Sequence, residues 1–210
     1  MSRVPLHDVP PDYTEIRNLR LTEDRLIIWL NILALVPLIA MLILMALWWV
    51  LVSWGRSPSP GIDVPWWLAL IVILLVVLPL HEFLHGVTIM AFGQRVRYGA
   101  KLSKGVLYAT SENALFRRNE YLAIALAPLV GITLAVMLLM VIAPQGLAYY
   151  LGIAAVLNAG GAIGDLWSVG VLLRYPEGVL VRDEADGFRI YASSLAAGSS
   201  IQKTEPPVAG

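Results

Sequence analysis

WWLALIVILLVVLPLHEFLHGVTIMAF, residues 66–92, is the stretch that decides the fold of this chain. It is longer than the roughly 20 apolar residues with which an α-helix crosses the hydrocarbon core of a bilayer. Its only ionisable side chains lie together, in His81-Glu82-Phe-Leu-His85. Because ionisable groups inside a membrane helix are costly, this segment predicts a functional site rather than a packing feature.

The composition of the whole chain also indicates a membrane protein. Hydrophobic residues make up 58% of it and charged residues 14%, whereas soluble domains carry about 25% charged residues. The formal net charge is zero, so no basic field points to nucleic acid as a partner. Cysteine is absent, which leaves His, Asp and Glu as candidate metal ligands.

Hydropathy and charge together predict a topology. Four stretches are long and apolar enough to span a bilayer, namely Leu26–Trp54, Trp66–Phe92, Tyr121–Ile142 and Leu147–Leu173. Of the 15 Lys and Arg residues, 14 lie in the two termini or between the second and third stretches. The positive-inside rule therefore predicts that both termini and the loop Gly93–Glu120 are cytoplasmic.

The predicted fold class is an all-α membrane protein with four transmembrane helices. A small cytoplasmic β-hairpin is expected between spans 2 and 3, because Arg95–Tyr98 and Gly105–Thr110 are rich in β-formers. Residues 1–25 are predicted to be an N-terminal tail, 26–175 the helical core and 176–210 a C-terminal tail. The Ser/Ala/Gly and Pro content predicts disorder past about Ala196.

The spacing of the ionisable residues predicts a zinc site. His81 and His85 are four residues apart and share one helix face, where two imidazoles can reach one metal ion. Glu82 would then act as the general base toward a water molecule. A catalytic zinc typically has three protein ligands. Asp165 is the preferred third ligand, because it is the one other ionisable residue within the predicted spans and its depth matches.

Two other aspartates could supply the third ligand. Asp183 and Asp186 lie beyond the fourth span and are less favoured; the segment around them lacks the spacing of an EF-hand calcium loop. Asn158 lies two turns before Asp165 on the same face, so it could contact a substrate carbonyl or make an interhelical hydrogen bond. Pro79 and Pro128 are expected to kink their helices.

With these motifs in place, the chain resembles the putative zincin peptidase family, bacterial membrane proteins that look related to site-2 intramembrane metalloproteases. The features that match are His81-Glu82-Phe-Leu-His85-Gly86, Ala127-Pro128, Asn158 through Asp165, and Asp183–Gly187.

The resemblance implies roles for four side chains and for the hairpin. His81, His85 and Asp165 would hold zinc, Glu82 would activate water, and the Gly93–Glu120 loop would help to present a substrate strand. One departure concerns the third ligand, since Gly164-Asp165-Leu166 stands where site-2 proteases have Leu-Asp-Gly.

The expected function is that of a zinc-dependent peptidase in the cytoplasmic membrane of a bacterium. Its substrate would be a membrane-embedded or membrane-adjacent protein or peptide, cut near the cytoplasmic face. The alternative is a non-catalytic metal-binding regulator or a small cation or proton transporter subunit, in which His81, His85 and Asp165 bind a cation or relay protons. The sequence gives no prediction of oligomeric state or of the substrate's identity.

Overall fold

The computed structural model describes residues 8–20, 24–56, 61, 64–101, 106–111, 114–184 and 187–193. Six helices and six strands lie in this part of the chain. In chain order they are β1 (Tyr13–Arg20), α1 (Asp24–Leu33), α2 (Leu35–Ser53), α3 (Trp66–Ala91), β2 (Arg97–Lys101), β3 (Val106–Thr110), β4 (Leu115–Arg117), α4 (Arg118–Ile142), α5 (Gln145–Gly161), α6 (Ile163–Leu172), β5 (Leu180–Glu184) and β6 (Gly187–Ser193).

Three helical segments are long and apolar enough to cross a membrane. They are Arg25–Ser53, which contains most of α1 together with α2, Trp66–Ala91 and Arg118–Ile142. Within α3 only 6% of the most apolar 18-residue window is buried inside the molecule. An exposed apolar surface of this size is typical of segments that a bilayer or another protein covers.

The prediction of four transmembrane helices is wrong, because the fourth predicted span is not one helix. α5 and α6 are bent by 48° where they meet at Ala162, and they form at most one broken span by length and composition. Gly160 and Gly161 precede the bend, and glycine lowers the stability of a helix interior. A side chain on Gly160 would lie 3.2 Å from Leu38, so this end of α5 packs tightly against α2.

The all-α prediction is also wrong, because the chain has a mixed α/β fold with two antiparallel sheets. The larger sheet has the order β1-β6-β5-β4. Tyr13 pairs with Ser193 at one end of the β1–β6 ladder, and Arg20 pairs with Gly187 at the other. β1 and β6 come from segments predicted to be tails. Their pairing was not predicted, because partners so far apart in sequence leave no local signal of it.

The predicted β-hairpin between the second and third spans is present. β2 and β3 pair antiparallel from Arg97↔Thr110 to Lys101↔Val106, while the connecting turn lies outside the described residues. The hairpin packs on α3, and Tyr98 lies so close to Gly86 that a Cβ atom there would overlap its ring. Glycine at this position therefore lets the hairpin approach the helix that carries the two histidines.

The core of the larger sheet packs against one end of the helices. Val181, Phe188 and Ile190 on its inner face are fully buried, and they form one cluster with Ile89 at the end of α3 and Leu172 at the end of α6. Burial of such side chains contributes about 1.5–3 kcal/mol each. The sheet thus holds α3 and α6 side by side, with the histidines of one helix facing the aspartate of the other. The predicted disorder past Ala196 falls outside the described residues.

Candidate metal centre

His81, His85 and Asp165 meet between α3 and α6. The Nε2 atom of His81 lies 3.1 Å from Oδ2 of Asp165, and Nε2 of His85 lies 3.4 Å from Oδ1 of the same carboxylate. Each residue offers one ligand atom, and the three atoms lie within 4.8 Å of one another. The structure thus brings together the three residues that the sequence proposed as metal ligands.

A proline in the neighbouring helix fixes the orientation of His85. Pro128 lies inside α4 and has no backbone N–H, so the carbonyl of Ile124, four residues earlier, lacks its helical donor. The Nδ1–H of His85 donates to this carbonyl oxygen at 2.9 Å. Since a carbonyl can only accept, the proton of neutral His85 lies on Nδ1 and the lone pair of Nε2 faces Asp165.

An asparagine fixes the orientation of His81 in the same way. Asn158 is 2% exposed, and its Nδ2 donates to the backbone carbonyl of Pro128 at 3.2 Å. Its Oδ1 therefore accepts from Nδ1–H of His81 at 2.9 Å. Both polar atoms of the Asn158 amide have partners within the protein, a geometry that favours an interhelical hydrogen bond over a substrate contact.

The tautomers set by these hydrogen bonds determine how much positive charge the site needs. In neutral His81 and neutral His85 both Nε2 lone pairs point at the carboxylate of Asp165, so three electron-rich groups face one another. That arrangement is unfavourable unless a cation lies between them. A proton on either Nε2 would make an imidazolium–carboxylate ion pair with Asp165, whereas one divalent metal ion would contact all three groups at once.

The bend between α5 and α6 places Asp165 at this point. Asp165 lies in the first turn of α6, where the unpaired N–H groups and the helix dipole favour a negative charge. In a continuous helix the same residue would lie in the middle of a span, without that stabilisation. The glycine-rich segment before Asp165 thus supports the carboxylate as well as the bend.

Glu82 lies beside the three clustered residues and also lines a cleft between α3 and the hairpin. It is close enough to His81, His85 and Asp165 to interact with them electrostatically, and the backbone of Ala109 in β3 lies near its carboxylate. A cleft of about 540 Å³ lies next to it, between α3 and the hairpin. The lining of this cleft is mainly apolar and consists of Pro79, Leu80, Glu82, Phe83, Tyr98, Gly99, Leu107 and Tyr108.

The alternative third ligand Asp183 lies at another place in the fold. Its carboxylate accepts hydrogen bonds from the Thr110 hydroxyl at 2.6 Å, the Tyr121 hydroxyl at 3.0 Å and the Ser111 N–H at 3.4 Å. Burial raises the pKa of Asp183 to about 6, against the lowering effect of these hydrogen bonds. Asp183 therefore joins the end of the hairpin to the larger sheet. Asp186 is outside the described residues.

The sequence did not reveal the Ile124 carbonyl or the part that Pro128 plays. The signal was present, because a proline inside a predicted helix always frees the carbonyl four residues before it. The sequence does not identify the donor that hydrogen-bonds to this carbonyl, because the donor depends on how α3 and α4 pack. The proximity of Ala109 to Glu82 could not be predicted from the sequence either, because it depends on how the hairpin packs on α3.

Comparison with known proteins assigns the chain to a family. A family profile described as "Putative zincin peptidase" matches residues 74–180, which include most of α3 and all of the hairpin, α4, α5 and α6. The chain belongs to this family, whose description implies a zinc metallopeptidase. Searches of curated proteins and of solved structures gave no significant match.

Proposed function

We propose that the protein is a zinc-dependent membrane peptidase, with His81, His85 and Asp165 as metal ligands and Glu82 as general base. The observation that carries this proposal is the pair of fixed imidazoles, whose Nε2 lone pairs both face the Asp165 carboxylate. Second hydrogen bonds from ligand histidines to a carbonyl or amide oxygen are a regular feature of metal sites, where they set the tautomer.

The donor set fits zinc better than the other common divalent ions. Two imidazole nitrogens and one carboxylate oxygen match catalytic zinc sites, which keep a further position open. Calcium and magnesium prefer oxygen ligands alone. When bound, zinc would supply Lewis acidity that makes a water molecule nucleophilic at neutral pH.

Glu82 has the position that a general base needs. Its carboxylate adjoins both the three ligands and the cleft, so a water molecule between them would lie within its reach. The nearby Ala109 backbone would take at most one of the roughly four hydrogen bonds that a carboxylate can accept. Glu82 would take the proton of the attacking water and deliver it to the leaving amine.

The cleft beside Glu82 supports a peptide in extended form as the substrate. Phe83, Leu107 and Tyr108 give it apolar walls, which suit a membrane-embedded or membrane-adjacent segment. β3 forms one side and pairs with only β2 in the described part of the chain, so a substrate strand could add along β3 and bring a peptide bond to Glu82. The distribution of Lys and Arg supports an orientation with this region on the cytoplasmic side, and the resemblance to bacterial membrane proteins implies the inner membrane of a bacterium.

A test of the catalytic proposal compares wild-type protein with Glu82→Gln in proteoliposomes. The probe is a library of membrane-anchored peptides, with new termini detected by mass spectrometry. We expect zinc-dependent cleavage by the wild type and at least a hundredfold loss with Glu82→Gln, because general-base catalysis contributes about 10²–10⁴-fold. Glu177→Gln, a change of a 77% exposed carboxylate, is the matched control and should keep the activity.

The rival functions predict a different result. A metal-binding regulator, or a cation or proton transporter subunit, would use His81, His85 and Asp165 but has no need of Glu82 as a base. Zinc bound by both proteins, with identical termini in the wild-type and Glu82→Gln samples, would contradict the peptidase and favour the rival.

A further inference from the structure

A second cavity lies away from the metal centre, where α6 meets the larger sheet. It has a volume of about 650 Å³, is open on one side and is bordered by β1, the end of α6, the segment after α6 and β6. Ligand-binding cavities in proteins usually measure about 300–1,000 Å³. Neither the proposed ligands nor Glu82 line it, so the proposed peptidase chemistry gives it no use.

The wall of this cavity is apolar along its length and basic at two points. Leu19, Trp167 and Val171 contribute apolar surface, while Arg17 and Arg174 bring guanidinium groups. Among the described residues neither arginine has an ion pair or a side-chain hydrogen bond. The described lining contains no acidic side chain.

A β-bulge in β1 brings Arg17 to this cavity. The register of β1 against β6 shifts between Glu15 and Arg17, which leaves Ile16 without a partner. Neighbouring side chains of a regular strand point to opposite faces, but both Ile16 and Arg17 line the cavity. Bulges are known to redirect side chains in this manner, so the irregularity adds a charge to an otherwise apolar wall.

A glycine in α6 keeps the cavity open. A Cβ atom placed on Gly170 would meet no heavy atom within 4 Å, although Gly170 belongs to a helix that packs against its neighbours. Gly170 is exposed and belongs to the lining of the cavity. Helix formers larger than glycine would be favoured in this helix by propensity alone.

We propose that this cavity binds an anionic phospholipid of the surrounding bilayer. Its phosphate would lie between Arg17 and Arg174, and an acyl chain would lie along Leu19, Trp167 and Val171. The position fits a membrane lipid, since Arg174 lies two residues beyond the end of α6 and β1 ends shortly before α1, which leads into the first apolar segment. Basic pockets at the cytoplasmic ends of membrane helices attract anionic headgroups.

Native mass spectrometry of the detergent-solubilised full chain tests the proposal. The probes are dioleoyl phosphatidylglycerol, dioleoyl phosphatidylcholine and, as a headgroup without acyl chains, glycerol phosphate. We expect the wild type to bind the glycerol lipid about 20-fold more tightly than the choline lipid, as two arginines near one phosphate predict. Glycerol phosphate at the same concentration should not displace it.

Two pairs of variants separate the cavity from general surface charge. Arg17→Gln with Arg174→Gln should abolish the preference for the anionic lipid, whereas Arg25→Gln with Arg95→Gln removes the same charge elsewhere and should keep it. Gly170→Leu should reduce binding of both lipids by filling the cavity. Equal binding of both lipids by the wild type, or equal loss in the two double variants, would overturn the proposal. Displacement by glycerol phosphate alone would also overturn it, in favour of a site for a soluble anion.

Discussion

The two histidines of the candidate metal centre each bond to the protein through Nδ1, and the Nε2 of each faces the Asp165 carboxylate. His81 donates to Asn158 and His85 donates to the Ile124 carbonyl. A ligand histidine held in this way loses little rotational freedom on binding a metal ion, and its tautomer is already the correct one. The partners of the histidines should therefore affect metal affinity even though they contact no metal.

Replacement of Asn158 by Ala tests this inference at His81. Without Oδ1 as acceptor, the Nδ1–H of His81 loses its partner and the ring can adopt either tautomer. We expect zinc affinity to fall about 10- to 100-fold, as for other outer hydrogen-bond partners of metal ligands. Competition with a fluorescent chelator measures the affinity. Asn18→Ala, in exposed β1, is the control, and an unchanged affinity in Asn158→Ala would refute the role.

Replacement of Pro128 by Ala tests, at His85, the inference that the hydrogen-bond partners of the histidines affect metal affinity. Alanine restores a backbone N–H that can bond to the Ile124 carbonyl and compete with Nδ1–H of His85. We expect zinc affinity to fall about tenfold while the thermal midpoint of the protein in detergent stays the same or rises. A fall in both the zinc affinity and the thermal midpoint would indicate damage to the fold and would contradict the proposed role of Pro128. Pro144→Ala, at the start of α5, is the control.

The β2–β3 hairpin is the element that connects the metal centre to the rest of the fold. Tyr98 packs on Gly86, the Ala109 backbone contacts Glu82, and Thr110 with Ser111 binds Asp183. Asp183 thus fastens the end of β3 to the larger sheet, and the position of β3 in turn defines one wall of the cleft. The sheet therefore helps to set the width of the cleft beside Glu82.

The raised pKa of Asp183 predicts a pH dependence of stability. Its pKa is about 6 in the folded protein and 3.8 is its ordinary value, so the folded state binds the proton more tightly than the unfolded state. The contribution of Asp183 to stability is fully present below pH 4 and is lost as the pH rises through 6. The loss is on the order of 3 kcal/mol.

Thermal unfolding of wild-type protein and Asp183→Asn in detergent checks this prediction. The difference between their midpoints should change between pH 4 and pH 6.5 and be constant above pH 7, because asparagine does not titrate. Asp12→Asn, at an exposed position, should follow the wild type throughout. Parallel curves for wild type and Asp183→Asn would contradict the pKa of Asp183 and its cause.

At the scale of the whole molecule, the sequence predicted which ionisable residues lie together but not the fold class. His81, His85 and Asp165 could be found because ionisable groups are rare in apolar helices, so few combinations had to be considered. The hairpin was predictable from clustered β-formers close in sequence. The larger sheet was not, since Tyr13 and Ser193 are paired across nearly the full length of the chain.

The break of the last predicted span shows a similar limit. Hydropathy averaged over Leu147–Leu173 predicts a crossing, and the glycines indicate a weak point, but neither gives the angle of the bend. The packing of Gly160 on Leu38 and the position of Asp165 at a helix start depend on neighbouring elements. The glycines in the local sequence therefore indicate where the helix can bend, whereas the bend itself depends on contacts with neighbouring elements.

The whole arrangement combines apolar helices with a sheet at one end, and the metal centre lies between them. The sheet packs on the ends of α3 and α6, so the ligands of one site are held by two helices whose relative position is fixed from outside the helix layer. Loss of any ligand should then remove the metal without unfolding the chain.

Metal analysis of the purified full chain tests the three-ligand centre most directly. Wild-type protein and Glu82→Gln should each contain one zinc ion per chain, because Glu82 is a base and not a ligand. His81→Ala and Asp165→Ala should contain less than about a tenth of that amount, since each removes one of three ligands. Zinc retained in full by Asp165→Ala, or absent from the wild type after purification with zinc present, would contradict the account.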